Sequence, residues 1–151
     1  MSDLETLLAK DRIARAVNDA FRGTDEMDWD RVHRAFAPRV LLDMTSLGAS
    51  ADEMAAEEIT AMWDDGLRHL DARHHQIGNL EIEVDGDRAT AHCYGSAWHY
   101  LPNPAGSTRC FVGTYDFGLT KMDGAWRIDL LRFNLKFIDG NADLEGAATE
   151  G

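Results

Sequence analysis

Between residue 3 and Arg22 the apolar positions Leu4, Leu7, Leu8, Ala14, Val17 and Phe21 recur at three- and four-residue steps, the spacing that lines one face of an α-helix. Gly23 is a natural stop for that helix. A second, shorter helix is predicted with Trp29, Val32, His33 and Phe36 on one side, ended by Pro38, and Val40 to Met44 reads as a short strand. Ser50-Ala51-Asp52-Glu53 has the Ser-x-x-Glu form of a capping box. It predicts a third helix from Ala51, with Met54, Ile59, Met62, Trp63 and Leu67 available to bury. The acids Asp52, Glu53, Glu57 and Glu58 suit the first turns of such a helix and otherwise form a solvated face.

After Asp71 the pattern changes from helical period to alternation. Leu80, Ile82 and Val84 alternate with Glu81 and Glu83, Asp85-Gly86 makes a hairpin turn, and the return strand runs from Ala89 to about Leu101. Pro102 to Gly106 forms a loop. Arg109 to Lys121 and Ala125 to Ile138 form a second hairpin across Met122-Asp123-Gly124. Helices followed by long antiparallel strands predict an α+β domain, three N-terminal helices packed in the concave face of a strongly curved antiparallel or mixed sheet. A half-cone of this kind leaves an apolar cavity at its open end, where a small hydrophobic molecule would bind.

The chain has 151 residues, enough for one domain over residues 1–139, and residues 140–151 read as a loose acidic tail. A formal net charge of −12 without a basic patch argues against nucleic acid and anionic membranes as partners. No apolar run reaches transmembrane length and the amino terminus lacks the pattern of a signal peptide, so a soluble cytoplasmic protein is expected. Cys93 and Cys110 fall inside strands without Cys-x-x-Cys spacing and fit reduced core thiols.

Candidate chemistry centres on Asp71-Ala72-Arg73-His74-His75-Gln76-Ile77-Gly78-Asn79, where helix gives way to strand, and on Asp25 at the end of the first helix. A histidine oriented by a carboxylate is a general base suited to neutral pH. Asp25 could equally cap the second helix. Strict alternation puts His74 on the face of Leu80, Ile82 and Val84 and His75 on the other, so pattern alone does not choose between the two imidazoles. His69, His74 and His75 lack metal-ligand spacing, and no Gly-x-Ser-x-Gly elbow, phosphate loop or dinucleotide fingerprint occurs; neither metal nor cofactor is expected. Tyr94, Trp98, Tyr100, Tyr115, Phe117 and Phe133 supply aromatic surface for a core, a pocket or an interface. Arg132 and Asn134, assigned to one face of the last strand with Trp126, are pocket candidates; Arg132 could polarise a carbonyl or pair with an acid.

The order of helix, aspartate before Asp28-Trp29-Asp30-Arg31, short strand, helix, His75-Gln76-Ile77-Gly78, hairpin, Gly113-Thr114-Tyr115 and Asp123-Gly124-Ala125-Trp126 resembles the SnoaL-like branch of the nuclear transport factor 2-like superfamily over residues 3–138. Asp28 to Arg31, Ala37-Pro38, Ala56-Glu57-Glu58 and His75 to Gly78 look most like scytalone dehydratase and its relatives. The resemblance implies His75 as the base, Asp25 as its partner and Met62 in an apolar pocket. It sets Thr24 and Met44 where two water-orienting tyrosines stand, a second histidine near Trp98-His99, and Gly113 and Tyr115 near a serine and an asparagine of the substrate site. The implied activity is a cofactor-independent lyase or isomerase, dehydratase-like, on a small apolar cyclic or aromatic substrate. The alternative is a non-catalytic ligand-binding or dimerisation module of the same fold. Association into a homodimer or higher homo-oligomer through the outer sheet face is also implied.

Overall fold

The computed structural model of the chain describes residues 1–146. Three α-helices, α1 (Asp3–Glu26), α2 (Trp29–Ala35) and α3 (Ala56–Leu67), lie with one six-stranded sheet built from β1 (Phe36–Asp43), β2 (Ala51–Ala55), β3 (Ala72–Asp85), β4 (Arg88–Tyr100), β5 (Thr108–Met122) and β6 (Ala125–Gly140). The strand order is β2-β1-β6-β5-β4-β3, antiparallel except where β1 runs parallel to β6. This is the expected α+β architecture, an open, curved mixed sheet.

Ser2 opens α1 through a capping box with Glu5. The helix buries Ala9, Ile13, Ala16, Val17, Ala20 and Phe21 against the sheet, while Leu4, Leu7 and Leu8, expected on that face, are exposed because the first turns project beyond the core. Gly23 does not end the helix. A Cβ there would lie 2.7 Å from Val32 Cγ2, so glycine is present to let α2 approach, and α1 runs one further turn to Met27, whose φ of 54° closes it. That extra turn carries Asp25. Asp28 takes the capping position of α2, accepting from Arg31 N at 3.2 Å, which leaves Asp25 free for another partner.

The segment after Ser50 departs from expectation. Residues 51–55 form edge strand β2, paired antiparallel with β1 from Asp43↔Ala51 to Arg39↔Ala55, and α3 starts only at Ala56. The Ser50 hydroxyl bonds the Asp52 carboxylate instead of capping a helix, and ladder pairing with β1 outweighs the local capping pattern. β1 itself begins at Phe36, directly after α2, with Pro38 exposed in it.

Two of the departures from alternation bear on which side chains near the cavity face inward. In β3, Gly78 lies opposite Tyr94 and Glu81 opposite His92, a bulge at which Asn79 adopts φ 54°. Beyond it Leu80, Ile82 and Val84 pack on the core, and before it so do Ile77 and the His75 side. In β6, Leu119 pairs with Ile128 but Gly118 with Leu130, so Asp129 is the extra residue; Trp126 and Ile128 face inward before it, Leu131 and Phe133 after it. The second hairpin turns through Asp123 and Gly124, at φ 49° and 79°, as a two-residue loop of this hand requires. Residues 141–146, expected to be loose, form a turn that buries Leu144, whose carbonyl accepts from Asn103 Nδ2 at 3.0 Å; the remainder of the expected tail lies outside the described residues. Among the described residues no helix is long and apolar enough to cross a membrane.

Candidate active site

The last turn of α1 and the first half of β3 bring Asp25 and His75 together. Asp25 Oδ1 lies 2.7 Å from His75 Nδ1, and Oδ2 accepts the backbone N–H of His75 at 2.9 Å. Both side chains are largely buried, at 17% and 14% exposure. An ionised carboxylate only accepts, so the Nδ1 position carries the proton and Nε2 keeps its lone pair. The His75 ring packs on Phe21 at 5.3 Å between centroids. His74 faces outward and is exposed. The bulge at Asn79 is what reverses the strict-alternation assignment of these two residues.

His75 lines a cavity of about 440 Å³ between the concave sheet face and α1 and α3, walled mostly by apolar groups. Phe21, Met44, Met62, Trp63, Phe111 and Phe133 supply much of that wall. Thr24 also borders it, but its hydroxyl donates to the Ala20 carbonyl at 2.7 Å and is turned into the helix. Tyr115 borders it as well, buried between Phe21 and Phe133 with ring centroids 4.8 Å from each; burial and the nearby Asp25 charge push its phenol up, so it stays neutral. Gly95 makes the slot for that ring, since a Cβ there would fall 2.2 Å from Tyr115 Cε2.

His99 is the second imidazole of the cavity, on the inward row of β4 with Ala97 and Cys93. Its Nδ1 lies 2.9 Å from Arg109 Nη2. Burial first, then the charge of Arg109, pushes the imidazole down to about 4. Arg109 is in turn held by Glu145, at 2.6 Å and 2.9 Å, and stacks over Phe111 at 5.3 Å. Arg109, with His69 also bonded to the same carboxylate, holds Glu145 down to about 2.

Three expected pocket residues are elsewhere. Trp98 alternates with Ala97 and His99 and points to the convex face, 39% exposed. Arg132 and Asn134 follow the Asp129 bulge and also face outward. Arg132 pairs with Asp43 at 3.0 Å, and Asn134 donates to Thr114 at 3.1 Å and to Asp116 at 2.9 Å. His69 and His75 take separate carboxylate partners, Glu145 and Asp25. Arg109 and Glu145 were not anticipated. Arg109 was detectable, because β5 alternates without interruption from Phe117 back through Tyr115, Gly113 and Phe111 to Arg109, which places it on the inner face. Glu145 carried no such signal in its small, polar surroundings.

A half-cone sheet with helices inside is the architecture of the nuclear transport factor 2-like class. The chain belongs to the SnoaL-like domain family, whose model matches residues 5–132. Among solved structures it is similar to the Kfla4162 protein of Kribbella flavida, with a TM-score of 0.85 at 22% identity over 91% of this chain and 95% of that one. It is also similar to the hexachlorocyclohexane dehydrochlorinase LinA-type3 of Novosphingobium barchaimii LL02, with a TM-score of 0.77 at 17% identity over 94% and 96%. A third likeness is to an NTF2-like protein with a cystatin-like fold from Novosphingobium aromaticivorans, with a TM-score of 0.74 at 19% identity over 94% and 90%. At these identities the likeness concerns the fold. No curated protein matches the chain by sequence.

Proposed function

We propose that the protein is a cofactor-independent lyase or isomerase, dehydratase-like, that removes a proton from a small apolar cyclic or aromatic substrate. The observation that carries this reading is the Asp25–His75 pair, whose free Nε2 belongs to a ring lining a mostly apolar cavity. Apolar walls select a hydrophobic ligand and exclude water, which strengthens the few polar contacts inside. The likeness in fold to the hexachlorocyclohexane dehydrochlorinase supports the same reading.

The chemistry runs through these groups as follows. His75 Nε2 takes the proton from a carbon next to a carbonyl, Asp25 stabilises the imidazolium that forms, and the electron pair of the C–H bond moves into an enolate. His99, kept neutral, donates a hydrogen bond to the enolate oxygen, as a neutral imidazole can without giving up its proton. His75 then returns the proton. Delivered to a β-hydroxyl as the C–O bond breaks, it releases water and completes a dehydration. Delivered to another carbon, it completes a double-bond shift. Both outcomes balance without an added reactant. On the convex face Tyr94, Trp98, Tyr100 and Phe137 are exposed, and we read them as the surface through which two copies associate.

Hydrogen–deuterium exchange of small cyclic ketones in D2O, followed by NMR, tests the base directly and needs no assumption about the leaving group. Exchange at the α-carbon is expected to exceed the buffer rate, to vanish in His75→Ala and to fall by about 10³-fold or more in Asp25→Asn, where the amide favours the wrong tautomer. Ketones that bind without accelerated exchange would refute the lyase reading in favour of a binding module. Full exchange in His75→Ala would refute the assignment of the base.

A further inference from the structure

Among the polar groups on the cavity wall, the pairing of Arg109 with His99 stands apart. Arg109 is an arginine on the inner face of a sheet, its side chain 12% exposed, and it directs a guanidinium N–H at the ring of His99. Cations beside imidazoles are unfavourable as charge pairs, so the contact needs a reason.

The reason lies in what each group can do. A guanidinium has donors only and does not lose its proton, so at 2.9 Å the Nδ1 of His99 must be the acceptor. Its lone pair is then occupied, the proton of the neutral ring is confined to Nε2, and a second proton has no place to go. The ring borders the cavity with Nε2–H as its remaining donor. His75 is set in the opposite sense by the same logic, because Asp25 accepts from Nδ1 and leaves Nε2 bare. One imidazole is fixed as acceptor by an anion, the other as donor by a cation.

We propose that Arg109 is a positioning residue that locks His99 in the neutral Nε2–H tautomer, and that Glu145, from the turn after β6, holds the guanidinium in place. Glu145 takes two guanidinium nitrogens, Nη1 at 2.6 Å and Nη2 at 2.9 Å, and the burial of Leu144 fixes the turn that presents it. The groups facing His99 from all sides are Arg109, His75, Glu145 and His69, of which only Glu145 favours the charged ring. A fixed N–H donor opposite a fixed base suits a substrate that presents an oxygen acceptor, a carbonyl above all. A halide leaving group gains far less from such a donor. The use assigned to the donor rests on the lyase reading; the tautomer itself does not.

Histidine ring 15N–1H correlation spectra of the ligand-free protein decide the matter. Wild type is expected to show His99 with a protonated Nε2 and an unprotonated Nδ1 at pH 7, and to keep that pattern to about pH 5. Arg109→Met should give a mixture of tautomers and raise the His99 titration midpoint by about one unit or more. Arg109→Gln, which retains an N–H donor, should restore the pattern, a rescue that a purely structural role would not produce. Glu145→Ala should loosen it to a partial mixture. A wild-type ring protonated on Nδ1, or charged at pH 7, would overturn the proposal even if Arg109→Met did not fold, and so would an unchanged tautomer in Arg109→Met. An intact pattern combined with no ketone exchange would count against the lyase reading alone.

Discussion

Deleting Gly78 and Asn79 together should turn part of β3 over, whereas deleting Asn79 alone should not. Gly78 lies opposite Tyr94 and Glu81 opposite His92, so β3 takes three steps where β4 takes two. Without Asn79 both strands take two steps, Leu80 falls opposite Cys93, and each half of β3 keeps its present face with His75 still bonded to Asp25. Without Gly78 as well, Ile77 adjoins Leu80, and neighbours on a regular strand cannot both face inward. If the hairpin half turns, Leu80, Ile82 and Val84 leave the core; each is partly buried, which makes the loss roughly 1 kcal/mol apiece and about 3 kcal/mol together. If the other half turns, Asp25 loses the ring and backbone N–H groups of His75, at about 1.5–3 kcal/mol for each bond to a charged acceptor. Either way urea denaturation of the double deletion should register a loss of at least about 3 kcal/mol, as a lower midpoint with an unchanged slope. Asn79→Gly keeps the bulge, since glycine adopts a φ of 54° freely, and should stay within about 1 kcal/mol of the parent. Histidine ring spectra would show which half moved. A double deletion as stable as the parent, or a single deletion in which His75 no longer bonds Asp25, would refute this account of how the site is aimed.

Gly95→Ala should cost about 1–3 kcal/mol in thermal denaturation, because the new methyl meets the Tyr115 ring while Phe21 and Phe133 block its retreat. The pH dependence of stability should carry the mark of His99: with a folded value of about 4 against an ordinary 6.5, the unfolded chain binds the extra proton between them. Stability is therefore complete above pH 6.5 and declines as pH falls to about 4, by up to about 3 kcal/mol. In His99→Gln that slope should disappear from the urea midpoints, and its persistence would assign it to another group.

Much of this fold was legible because two periods dominate the chain. The three-and-four spacing marked the first helix, and alternation with Asp85-Gly86 and Asp123-Gly124 marked both hairpins. What alternation could not show was where it skips. The extra residues Asn79 and Asp129 carry no apolar signal, yet the first turns His75 inward and the second turns Arg132 and Asn134 out. Met44, Met62, His99 and Tyr115 border the cavity, whereas Trp98, expected in the pocket with them, faces out, as plain parity with His99 would have shown. The capping pattern at Ser50 misled because a local signal met a neighbouring strand that needed a partner. Glu145 was invisible because its importance comes from where β6 delivers it.

The parallel pairing of β1 with β6 joins segments far apart along the chain, and that has a consequence for biosynthesis. A ribosome delivers α1, α2, β1, β2 and α3 long before Ala125–Gly140, the one strand that can join them to the rest of the sheet. Local helices can form during that wait, but the apolar faces meant for β5 and β6 stay uncovered, and closure must bridge about ninety residues. The cavity is therefore among the last features to exist in a newly made molecule, and no ligand can meet a half-made site.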